Sequence, residues 1–173
     1  MNKIWSYILI SFFIISCSEG DLIEDNTNFT ADLENCFNGN DFVFYIVDTD
    51  IHQAFSLNFT STSFSLDTAD PETPVTITLN STSNLLIYRQ FNSAIDGASY
   101  FCSSIPPSDI MVTQELISES GTAEISYTLK ETLPTETVYT RTIVLNNITL
   151  EGNGIALRKE FFLLGSDEVT VPN

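Results

Sequence analysis

Basic residues are the scarcest feature of this chain: six Lys and Arg stand against 23 Asp and Glu, and none falls within residues 4–88. Proteins that grip nucleic acid do so largely by replacing phosphate counterions with Lys and Arg, so that partner is excluded. Docking by charge onto an anionic lipid surface is unfavourable for the same reason. The formal net charge of −17 is read as a source of solubility and self-repulsion, which should push the body away from a membrane. Histidine is nearly absent too. His52 alone has no second imidazole or spare thiolate with which to build a zinc site. A catalytic triad on His52 with Asp48 or Asp50 lacks any nucleophile elbow, and its place between two strand-like runs makes it a loop residue. Long apolar runs are missing as well. The most apolar stretch, residues 4–15, would span only about 18 Å as a helix against a hydrocarbon core of ~30 Å, which excludes a permanent transmembrane helix.

That short stretch has another use. Lys3 is a lone cation, the run after it is uncharged, and Ser16-Cys17 closes it with a small residue and a thiol, the layout of an export signal. Ile14-Ile15-Ser16-Cys17 resembles the lipobox of bacterial lipoproteins. The resemblance implies that Cys17 is acylated and becomes the first residue after residues 1–16 are cut away. Each buried methylene contributes ~0.8 kcal/mol, so several acyl chains hold a protein on a bilayer stably where one does not. Ser18-Glu19-Gly20-Asp21, with Glu24 and Asp25 after it, is similar to the acidic stretch that follows the cysteine in Bacteroidota lipoproteins sent to the outer leaflet of the outer membrane. An ordinary solvated acidic tether fits it equally well, and the periplasmic and cell-surface faces both stay open.

Residues 17–35 carry few large apolar side chains and read as that lipidated tether, leaving 36–173 for one folded domain. With Cys17 committed to lipid, Cys36 and Cys102 remain. In an exported protein two leftover cysteines pair, closing a loop of about 67 residues worth roughly 4 kcal/mol in chain entropy. Two free buried thiols are the competing reading.

Beyond Cys36 the pattern is β throughout, with no sustained helical spacing. Phe42-Val43-Phe44-Tyr45-Ile46-Val47 is a continuous apolar run, as in a strand covered on both faces. Phe55, Leu57 and Phe59 alternate with Ser56 and Asn58; Phe64 and Leu66, Val75 to Leu79, and Ile125 to Leu129 repeat the period of two. Residues 138–150 are long enough for a strand with a bend at Asn146-Asn147, and 155–164 close the series with Val169 and Val171 as an edge. Turn chemistry breaks the runs at Asn38-Gly39-Asn40-Asp41, Asp70-Pro71, Ser120-Gly121 and Gly152-Asn153-Gly154. Between Ser93 and Asp109 the pattern lapses into a long crossover loop that Cys102 would pin to Cys36. The expectation is an all-β fold, an antiparallel β-sandwich or alternatively a β-barrel, of about eight to ten short strands.

Chemistry-bearing clusters are few. Asp48 and Asp50, and Asp67 with Asp70 and Glu72, offer hard oxygen ligands of the kind calcium prefers, though neither matches an EF-hand loop; solvated loop charges are the plainer reading, and no cofactor is required. Asp67-Thr68-Ala69 resembles the O-glycosylation acceptor of exported Bacteroidota proteins, which would place a sugar on Thr68. Two functions follow. The first is a non-enzymatic binding or structural module of the cell envelope, held in the outer membrane by its lipid and displaying loops to an envelope protein or glycan. The second is a polysaccharide hydrolase using paired carboxylates, although nothing in the sequence singles out two of the 23 acids.

Overall fold

The computed structural model describes residues 21–22, 29, 31–38, 41–59 and 73–173. Cys17, Asp67, Thr68 and Asp70, with the signal, lie outside them. Among the described residues no helix is long and apolar enough to cross a membrane.

The fold is all-β. Its strands are β1 (Asp21–Leu22), β2 (Glu34–Asn38), β3 (Asp41–Asp48), β4 (Gln53–Phe59), β5 (Val75–Thr78), β6 (Asn84–Phe91), β7 (Val112–Thr132), β8 (Glu136–Gly152) and β9 (Ile155–Pro172). One helical turn, α1 (Gly97–Phe101), sits in the crossover between β6 and β7. Among the described residues the nine strands belong to one sheet, in the order β1-β9-β8-β7-β6-β4-β3-β2, with β5 joining β7 off that path. Every pairing is antiparallel except β1 with β9.

The sandwich-like core comes from folding this single sheet over itself. Along a regular strand, residues an odd number apart face opposite sides. Yet Ser118 and Ala123 on β7, Leu145 and Ile148 on β8, and Leu157 and Phe162 on β9 are all buried. Each long strand therefore switches faces, and the switches lie side by side. Gly121 (φ 127°) and Asn147 (φ 51°) supply the left-handed backbone there. On β7 the register slips between Ser118 and Ser120 and again before Thr122, as at a β-bulge. A Cβ on Gly121 would lie 2.9 Å from the Ile148 Cα, so the strands cross too closely for a side chain. Below the bend β7 pairs with β6; above it, on the same edge, it pairs with β5.

The expected bend near Asn146-Asn147 is present. Ser120-Gly121, expected to end a strand, is instead the corner of a continuous 21-residue one. The single long bent strand expected over residues 138–150 is β8; β7 and β9 also run through the corner, where the sequence had suggested shorter separate strands.

The two halves enclose Phe44, Ile46, Phe55, Leu57, Leu116, Ile125, Ile143 and Leu145, among others. Burying an aliphatic or phenyl side chain of this kind contributes about 1.5–3 kcal/mol. The tether takes part. Phe29 stacks edge-on to Phe55 and Phe162, at 5.0 and 6.5 Å, and Leu33 is buried against Gly165. The sequence had assigned residues up to 35 to the spacer; in the structure β2 begins at Glu34.

Strand β3 is covered on both faces, as its unbroken apolar run implied. Phe44 and Ile46 enter the main core. Val43 and Tyr45 join Ala54, Phe91, Ile95 and Phe101 in a second cluster beneath the crossover.

Candidate functional site

Among the described residues three places bring polar or reactive groups together. The first is the disulfide between Cys36 on β2 and Cys102 just after α1, which staples the crossover to the outer face of the sheet. It forms from the two cysteines the sequence left over. Around it, Tyr45 stacks on Phe101 with ring centres 5.0 Å apart and donates its hydroxyl hydrogen to Glu34 Oε2 at 2.7 Å. Burial, then the Glu34 bond and the charges of Glu34 and Asp96, push the Tyr45 hydroxyl well above the ordinary tyrosine range. Asp96 caps α1 by accepting from the Ser99 N–H at 2.7 Å; the Ser99 side chain first, and then that N–H, hold its carboxyl below the usual value.

The second lies at the seam where β2 returns to β9. Arg141 and Asp167 are directly opposite on β8 and β9 and point inward. Their side chains are 3% and 9% exposed. Arg141 Nε donates to Asp167 Oδ1 at 2.8 Å, and its Nη2 makes a second bond to Oδ2. Asn35 Nδ2 on β2 donates to the same Oδ2 at 2.7 Å, and the guanidinium lies 4.5 Å over the Phe44 ring. The Tyr127 hydroxyl is buried nearby without a hydrogen-bond partner of good geometry; its pKa is raised mainly by that burial, with Arg141 pulling the other way. A cleft of about 500 Å³ opens beside the pair, lined by Asn35, Arg141 and the last residues of β9, Glu168 to Pro172. Glu168 is paired with Lys130. The cleft is lined by polar groups already engaged in the seam and in the Glu168–Lys130 pair, together with the apolar sides of Val169 and Val171.

The third is a shallower cleft of about 420 Å³ at the corner, where Asn147 and Thr149 face Arg158, Lys159 and Glu160. Lys159 Nζ lies 4.5 Å over the Phe162 ring, so its charge is already engaged.

The residues singled out from sequence are placed differently. Asp48 Oδ1 accepts from the backbone N–H groups of Asp50 and Ile51, at 3.1 and 3.3 Å, and so builds the β3–β4 turn. His52 ends that turn at φ 54°, with its carbonyl accepting from Phe91 N at 2.9 Å. Among the described residues no three His, Cys, Asp or Glu side chains gather as a metal cluster. Sequence reasoning missed the seam. Its signal was there: Arg141 occupies the inward parity set by Ile143 and Leu145.

Comparison of the chain with protein-family models, with curated proteins and with solved structures finds no match to any of them.

Proposed function

We propose that this chain is an exported lipoprotein of the cell envelope, anchored in the outer membrane through Cys17 and acting by binding or structural contact rather than by catalysis. The observation that carries the reading is the Cys36–Cys102 disulfide. A stable structural disulfide belongs to an oxidising compartment, and it uses both cysteines that the lipobox-like Ile14-Ile15-Ser16-Cys17 leaves over. Anchored in this way, the body presents its seam cleft to an envelope protein or a glycan.

The anchor is tested by labelling cells with a clickable fatty acid and comparing wild type with Cys17→Ala. Label on the wild type alone is expected. Equal labelling of both, or recovery of the chain with residues 1–16 attached and all three thiols free, would end this reading. Binding is tested by melting the purified protein against envelope glycans, because a ligand of the folded state raises the apparent stability by RT ln(1 + [L]/Kd). A shift that disappears in Thr170→Trp, which fills the cleft, is expected for a ligand held at the seam.

A further inference from the structure

We infer that the end of the body carrying the β3–β4 turn and the foot of the crossover rests in the interfacial layer of the bilayer that holds the Cys17 lipid. This inference rests on the lipid anchor proposed above.

The register fixes what lies at that end. Asp48 pairs with Gln53, Gln53 with Gln90, and Gln90 with Gln114, so the β3–β4 turn, the end of β6 and the start of β7 are level. Phe91 N–H bonds to the His52 carbonyl, and Asn92 and Met111 exchange two hydrogen bonds of 3.0 Å, which ties the crossover's foot to the same rim. Gly152, at the β8–β9 turn, sits against the Glu115 backbone, where an added Cβ would come within 2.2 Å of its carbonyl oxygen. Just beyond that turn, Ile155 pairs with Asp21 of β1. Cys17 precedes Asp21 by only four residues, which reach at most about 14 Å when fully extended. The tether therefore keeps the β8–β9 end of this rim within about 14 Å of the lipid.

The side chains displayed there suit such a position. Ile51 is 41% exposed and Met111 62%, with Val112 beside Met111. Apolar side chains grouped on one rim are what an interfacial surface buries, about 5–10 Å into the headgroup and acyl boundary. Of the acids at this rim, Asp48 bonds the turn backbone and Glu115 is paired with Arg89 at 2.6 Å, while Asp50, Asp109 and Glu151 are exposed. Contact is thus apolar and enforced by the anchor, not electrostatic.

Trp5, the sole tryptophan of the chain, leaves with the signal, so a tryptophan introduced into the mature protein reports alone. The lipidated protein is reconstituted in phosphatidylcholine vesicles with brominated acyl chains as Ile51→Trp, as Met111→Trp, and as Leu129→Trp at an exposed site on the far half of β7. Flotation reports the anchor; fluorescence quenching reports depth. The expected result is flotation of all three, with Trp at positions 51 and 111 quenched roughly twice as strongly as at 129, as burial in the interfacial layer requires. Flotation with equal quenching at all three overturns the inference and leaves the anchor standing. Failure to float overturns both.

Discussion

Replacing Arg141 by leucine should be among the most damaging single changes in this protein. It strips Asp167 of both guanidinium bonds in a site where the carboxylate is 9% exposed, leaving Asn35 as its remaining donor. Removing one partner of a buried ion pair costs about 3–5 kcal/mol, because the survivor stays desolvated and uncompensated. Asp167→Leu should cost somewhat less, near ~3 kcal/mol, since the Phe44 ring still faces the orphaned cation and offers up to about 2 kcal/mol. The double variant removes both charges and fills the space with apolar atoms. It should return to within about 1 kcal/mol of wild type, or exceed it. The assay is equilibrium urea unfolding of the wild type, the two singles and the double. With an m value of about 1–3 kcal/mol per molar urea, each single should lower the midpoint by roughly 1 M or more. The coupling energy across the cycle should exceed about 2 kcal/mol. Singles that each cost under ~1 kcal/mol, with losses that simply add in the double, would show the pair to be solvated and the seam argument to be mistaken.

Gly121→Ala places a Cβ at φ 127° and 2.9 Å from the Ile148 Cα, so a loss well above ~1 kcal/mol is expected from backbone strain and forced separation of β7 from β8. A thermal midpoint unchanged from wild type would refute the corner geometry. Tyr45 gives a pH dependence with a definite sign. Its folded pKa is raised above the unfolded value near 10, so the stability it confers is intact below about pH 10 and is lost as the pH climbs further, when only the unfolded chain ionises readily. Tyr45→Phe should therefore lose stability less steeply above pH 10 than wild type does, while the share belonging to Tyr127 remains. Parallel declines of the two proteins in alkaline urea titrations would refute the assignment.

Much of this fold was legible because its signals are local. The two-sided burial of β3 follows from an apolar run without alternation, and the turns at 48–52 and 152–155 follow from Asp, Asn and Gly in the places that need them. The disulfide was legible from counting. What escaped were features set by tertiary packing. Ser120-Gly121 reads as a turn in any single-sequence scan, and only the close approach of Ile148 turns it into a corner within a strand. Residues 29–35 look like a polar spacer because just Phe29 and Leu33 are large and apolar, yet those two meet Phe55, Phe162 and Gly165 across the whole length of the chain. The seam pair escaped because Arg141 and Asp167 are 26 residues apart, on partner strands whose register the sequence does not specify.

The bond between Asn35 and Asp167 joins residues 132 apart, and Leu33 meets Gly165 over a similar span. A ribosome or translocon releases the first of these long before the second. Until β9 emerges, Phe29 has Phe55 but not Phe162, and Leu33 lacks the Gly165 backbone, so the fold cannot lock from one end as a chain of local hairpins would. Closure is a single late event with a large loop-entropy cost. In the interval that part of the apolar core stays exposed, the condition under which chains aggregate.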